Sequence, residues 1–189
     1  MALDYVLSQL AKSLLRPTHY TITLADPLLK NASRRPASIS EMGNYLTIHA
    51  EEVTFPGRQV ITKQVTYFGT PREMPYDSAF GEDITVTFNM TRNDGIREGL
   101  EIWMDAIVDP AFGIVNYYTD YVSHMRIAIQ DSEGNDSQIM VAEEVYPKAI
   151  MPISLGAALG DSYIKYAVNF GFRKYQMTDL NSINDSKDQ

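Results

Sequence analysis

A period of two limits what this chain can become more than any other feature. Residues 83–90 read DITVTFNM, with Ile84, Val86, Phe88 and Met90 on one side and Thr85, Thr87 and Asn89 on the other. Successive side chains of a strand point to opposite faces, so this stretch predicts a strand with one apolar and one polar face. The alternation returns over 162–173, where Ile164, Tyr166, Val168, Phe170 and Phe172 oppose Lys165, Asn169 and Arg173. Further strands are predicted over 18–25, 44–55, 58–68, 121–130 and 138–146. Such a chain is mainly β, an antiparallel sandwich or barrel with helices as its cover.

The period changes twice. Leu3, Leu7, Leu10 and Leu14 lie on one helical stripe, which predicts an N-terminal helix over 1–16, closed by Arg16-Pro17. Over 94–108, Ile96, Leu100, Trp103 and Ile107 form the core stripe of a central helix, with Arg97, Glu98, Glu101 and Asp105 opposite. Thr91 and Asp94 offer a start signal and Pro110 a stop, while Gly99 suits close approach to a sheet. Residues 26–43 read as a long loop, and 67–78, YFGTPREMPYDS, as a turn region. Residues 1–176 are expected to form one domain, and the polar 177–189 a flexible tail.

A chain of 189 residues can bury a full core. It contains no apolar run near the roughly 18–20 residues that a membrane helix needs, and it lacks the pattern of a secretory leader. The expectation is a protein outside the membrane, assembled in a cytosol. With no cysteine, thiol chemistry and disulfides are excluded. The net charge is −8, and adjacent basic pairs such as Arg34 and Arg35 are few, so a grip on nucleic acid is disfavoured.

Catalytic vocabulary is thin. His19, His49 and His124 are far apart and show no metal-ligand spacing, so no metal is expected. Glu51-Glu52 and Glu143-Glu144 are neighbours on predicted strands, which sends the members of each pair to opposite faces and denies them a dyad. An acid–base site would need one member of each pair, such as Glu52 and Glu144, to meet across a cleft. Asp131, Glu133, Asn135 and Asp136 lack the spacing of a calcium loop and suit a hairpin tip. GAALG at 156–160 lacks the lysine and setting of a phosphate loop and reads as a turn. None of these motifs implies a cofactor, and no enzyme is expected.

The segment 51–62, EEVTFPGRQVIT, opens a different question. Pro56-Gly57 is a turn signal, yet from Arg58 to Phe68 both alternating faces carry apolar groups: Val60 and Phe68 on one, Ile61, Val65 and Tyr67 on the other. A strand apolar on both faces is central in its own fold or is covered by another chain. The chain then returns toward EDITVTF, which predicts a protruding hairpin arm over 58–76 with a distorted descending limb, suited to strand contacts between subunits.

In this order the segments resemble the tail tube proteins of contractile-tailed bacteriophages and the related inner tubes of contractile injection machines. The resemblance runs from LLRPTHYTITL through AEEVTFPGRQV and YFGTPREMPYDSAFGEDITVTF to the helix GIREGLEIWMDAIV and the last strand, over residues 11–175. It implies a structural subunit of hexameric rings stacked into a tube. The sheath would lie outside, baseplate and terminator proteins at the ends, and tape measure protein and transiting DNA in the lumen without specific binding. It also implies a place in the virion, assembled in the host cytoplasm. Carried over by position, Glu51, Glu52, Pro56, Gly57, Arg58, Val60, Ile61, Lys63, Val65, Tyr67, Phe68, Arg72 and Tyr76 would make inter-subunit contacts. Thr85, Thr87, Asn89, Lys165 and Asn169 are the lumen-facing candidates, although alternation by itself leaves open which sheet lines the bore. A baseplate initiator of the same fold and an injection-system inner tube are the neighbouring readings. A monomeric ligand-binding β domain and a hydrolase are the readings from other classes.

Overall fold

The computed structural model of the chain describes residues 15–25, 27, 49–66, 68–92, 95–156 and 163–179. Most of the expected N-terminal helix, of the loop over 26–43, of the GAALG turn and of the expected tail lies outside them, as does Tyr67. Among the described residues, nine strands and two helices follow one another: β1 (Tyr20–Leu24), β2 (Ala50–Thr54), β3 (Arg58–Val65), β4 (Arg72–Phe80), β5 (Ile84–Asn89), α1 (Gly95–Ile107), α2 (Tyr118–Tyr121), β6 (Ser123–Gln130), β7 (Asp136–Ile150), β8 (Lys165–Gly171) and β9 (Lys174–Asp179).

The body is a seven-stranded antiparallel arrangement in the order β1-β6-β7-β8-β5-β2, with β9 also on β7. Strand β7 makes this possible because it serves two sheets. Its first part pairs with β6 on one side and β9 on the other, and its last part, from Tyr146, pairs with β8. The change of partner follows Glu144, whose φ of +57° is left-handed and turns the strand. The two sheets are therefore β1-β6-β7-β9 and β7-β8-β5-β2, joined by one bent strand and not closed into a barrel. Where their free ends approach, the Tyr20 hydroxyl donates to the Ala50 carbonyl at 3.1 Å.

The core follows the alternation. Ile84, Val86 and Phe88 of β5 are fully buried and stand in register with Phe170, Val168 and Tyr166 of β8. Met125 and Ile127 of β6 and Met140, Ala142 and Val145 of β7 complete the lining. Helix α1 closes this core with Ile96, Gly99, Leu100, Trp103 and Ala106, while the expected Ile107 is only half-buried. Trp103 has no exposed surface, and its indole N–H donates to the Tyr121 carbonyl at 2.7 Å. That bond satisfies the one polar atom the ring carries, and it explains why the single turn α2 sits where it does.

Several sequence expectations need correction. The run over 162–173 is not one strand. Phe172 and Arg173 form a corner between β8 and β9, and at the other end Ile164 precedes β8 and is exposed. Strand β9 runs to Asp179 along β7, so the segment from Met177 begins as part of the sheet and not as a free tail. Strand β7 continues past 146 through Pro147 to Ile150, and β3 stops at Val65. The turn expected over 67–78 shrinks to the arm's tip, because β4 already begins at Arg72.

Candidate assembly site

The arm is built from its foot upward. Pro56 is buried within its own chain, and the Gly57 carbonyl accepts the Gly81 N–H at 2.6 Å. A Cβ on Gly81 would lie 2.9 Å from that carbonyl oxygen, so the two limbs touch here only because residue 81 is glycine. Phe80, the last residue of β4, fastens the foot to the body: its ring lies 5.1 Å from that of Tyr175 and 6.1 Å from that of Phe172. The Arg58 guanidinium stands 5.7 Å from the same ring.

Above the foot, β3 and β4 form a two-stranded sheet of their own. They pair from Arg58↔Phe80 to Val65↔Arg72, with a slip after Ile61 that leaves Tyr76 as an extra residue on β4. This bulge is the distortion expected of the descending limb, and it accommodates Pro75, which has no N–H to give a ladder. Eight residues of β3 reach roughly 26 Å. Val60 and Tyr76 are 60% and 67% exposed, Met74 is about as open, and Phe68 at the tip is wholly exposed at φ +37°. Ile61 and Val65 are half-buried, while Lys63 and Arg72 are exposed. Full burial of one such apolar side chain is worth about 1.5–3 kcal/mol, and the isolated chain leaves several on the arm without it.

The second surface is the outer face of β7-β8-β5-β2. Register puts Thr85 opposite Asn169, Thr87 opposite Ala167 and Asn89 opposite Lys165, so the five lumen-facing candidates share one face of two adjacent strands. Thr85 donates from its hydroxyl to the Asn169 side-chain oxygen at 3.1 Å. Strand β2 adds Glu52 opposite Thr87 and Thr54 opposite Thr85. Glu51 is the bulged residue between Ala50 and Glu52, and its carboxylate takes the Lys165 ammonium at 2.5 Å. The expectation that adjacent glutamates face opposite sides is thereby overturned, because the bulge turns both outward. Glu51 and Glu52 thus belong to this face and not to the arm.

The second acid pair repeats the device. Ala142 and Val145 are buried, and between them Glu143 pairs with Lys174 at 3.0 Å and Glu144 with Arg173 at 2.6 Å. The Arg173 guanidinium holds the Glu144 carboxyl below its usual range, opposite to what a general acid needs. Burial, and then the hydrogen bond to Glu144, push the Tyr118 phenol up to about 12. In the second sheet β2 and β7 are separated by β5 and β8, about 14 Å at ordinary strand spacing, too far for Glu52 and Glu144 to act together. Asp131 closes the β6–β7 turn by accepting the N–H groups of Glu133 and Asn135 at 2.8 and 3.0 Å, which makes this segment a hairpin tip. Among the described residues, no three of His, Cys, Asp or Glu gather where a metal could sit.

A third surface went unread in the sequence. Between α1 and α2, Phe112, Ile114, Val115 and Tyr117 are all exposed. They sit on a tight loop in which Asp109 accepts the N–H of Ala111 and Val108 bridges to Val115. The cluster FGIVNYY was available as a signal, since a short apolar run beyond a helix stop has no core to enter.

This fold is shared with components of contractile injection systems. The chain superposes on one from the sheath–tube complex of an extracellular contractile injection system, PVC, in its extended state. The TM-score is 0.63 at 13% identity, over 92% of this chain and 97% of that one. A chain of the anti-feeding prophage baseplate matches at 0.63 and 6% identity, over 89% and 97%. One from the cap terminating that prophage's tube matches at 0.63 and 11%, over 88% and 92%. No curated protein matches in sequence. The profile of the phage tail tube protein family matches residues 15–178, and the chain belongs to that family.

Proposed function

We propose that the chain is the structural subunit of a bacteriophage contractile tail tube, with no catalytic step. Copies assemble into stacked hexameric rings, and DNA leaves through the lumen during ejection. The arm carries this reading: a two-stranded ribbon fastened at its foot, with Val60, Phe68, Met74 and Tyr76 uncovered, in a chain of the tail tube family. The arm makes contacts between subunits through Arg58, Val60, Ile61, Lys63, Val65, Phe68, Arg72 and Tyr76. The face bearing Thr85, Thr87, Asn89, Lys165 and Asn169 lines the bore, and tape measure protein and DNA pass it without specific binding. Sheath protein docks outside, baseplate and terminator proteins cap the ends, and the tube resides in the virion after assembly in the host cytoplasm.

Deleting residues 59–74 tests the central claim. The shortened chain is expected to remain folded by circular dichroism yet to form no rings or tubes under negative stain. Tubes from the deletion equal to those of the intact chain would overturn the role of the arm. A second reading, an inner tube that carries protein, is favoured by the likeness to a chain of the PVC sheath–tube complex. Tubes isolated from producing cells decide between the two by their contents.

A further inference from the structure

Among the described residues, the polar face of β7-β8-β5-β2 carries two lysines, and each is held by a carboxylate that reaches over an intervening strand. Lys165 on β8 meets Glu51 of β2 at 2.5 Å, across β5. Lys148 on β7 meets Asp83, just before β5, at 2.7 Å, across β8. Lys148 is the extra residue where β7 slips against β8 between Pro147 and Ala149, as Glu51 is on β2. With Gly81, Glu82, Thr85 and Asn169, Asp83 and Lys148 line one depression of about 420 Å³, which places them on this face. Asp83 raises the Lys148 ammonium above the usual lysine range. Between the two ion pairs lie Thr85, Thr87, Asn89, Ala167 and Asn169, all uncharged, and Glu52 and Glu82 add acid beyond the two pairs.

We propose that Glu51 and Asp83 act as masks, keeping Lys165 and Lys148 from the phosphates of transiting DNA. The inference rests on reading this face as the wall of the bore. A free lysine that meets a phosphate releases a condensed counterion, which is the main source of non-specific DNA affinity. A lysine whose countercharge is covalently part of the wall gains little by the exchange, because the carboxylate is then left unpaired beside a polyanion. Repeated around every ring, an unmasked lysine would add up to a retaining surface. The bulge in β2 therefore has a function: without it Glu51 would not reach the face that Lys165 occupies.

The test measures binding of a fluorescent DNA duplex to the purified full chain, in which this face is open, and to its tubes. Glu51→Gln with Asp83→Asn is expected to raise affinity about tenfold in low salt and to steepen the salt dependence by about two counterions per subunit. Adding Lys148→Gln and Lys165→Gln should return both quantities to those of the parent. Unchanged affinity in the doubly unmasked chain, with its circular dichroism intact, overturns the inference. So does a gain that survives removal of both lysines. Glu51→Gln alone, expected to give roughly half the added salt dependence, serves if the pair of substitutions disturbs folding. Because the chain has no cysteine, Thr87→Cys reports the location separately. Reaction in assembled tubes with a maleimide carried on a protein too wide for the bore would overturn the lumen reading and leave the masking result to stand by itself.

Discussion

The arm and the β5–β8 pair are both antiparallel, both rich in β-branched and aromatic residues, and both long enough to be stable strands. They differ in what lies around them. Strands β5 and β8 have a ladder neighbour on each side and one face closed by the core, with Val86, Phe88, Val168 and Phe170 inaccessible to water. Strands β3 and β4 have only each other, and the side chains that would form a core are in solvent. A lone two-stranded ribbon is marginal in water, so the arm borrows its order from the foot at Phe80. The local code is one; the burial is not.

The comparison can be broken first on the body's side. Trp103→Ala should cost about 3–5 kcal/mol of subunit stability, since it empties the space beneath α1 and leaves the Tyr121 carbonyl without its donor. A loss under about 1 kcal/mol by urea denaturation would mean that α1 does not close the core.

A smaller effect concerns the β6–β7 turn. The Arg126 hydrogen bond at 2.6 Å, with lesser help from Gln130, holds the Asp136 carboxyl below the usual aspartate range. A depressed folded value makes a contribution that is present above the unfolded value, near about 4, and is lost as pH falls through the folded one. Asp136→Asn should therefore lower stability at pH 7 by under about 1 kcal/mol, as both groups are part-exposed, and should cost nothing at strongly acid pH. Urea midpoints of the two chains that stay equally separated down to the lowest pH would remove this linkage.

The smallest expected change in subunit stability sharpens the arm's side. Val60→Ser with Tyr76→Ser should alter subunit stability by less than about 0.5 kcal/mol, because neither side chain has a core to leave. The same substitutions should prevent tube formation as scored by sedimentation. A large loss of monomer stability would show that the arm is packed against its own body.

Much of this was legible along the chain. The alternation of 83–90 placed β5 and its faces, the stripe Ile96, Leu100 and Trp103 placed α1, and two-sided apolarity marked the arm from Arg58. The lumen-facing candidates came out on one face because period two is a local property of extended backbone. What escaped were the places where that period is interrupted. The bulge at Glu51, the left-handed Glu144 and the corner at Phe172–Arg173 each depend on a partner strand distant in sequence, and no spacing along the chain announces them. The loop carrying Phe112 and Tyr117 was passed over because it followed a helix stop.

Which side of each strand would be apolar, and where the chain would depart from strand to helix, follows from the order of residues, because backbone geometry sets both periods residue by residue. It took the folded arrangement to bend β7 between two sheets, to send adjacent glutamates out on one side, and to bring Glu51, Glu143 and Glu144 each to a lysine or arginine. Those outcomes depend on hydrogen-bond register between segments far apart in the chain, and a slip of one residue there is cheap locally but redirects every side chain beyond it.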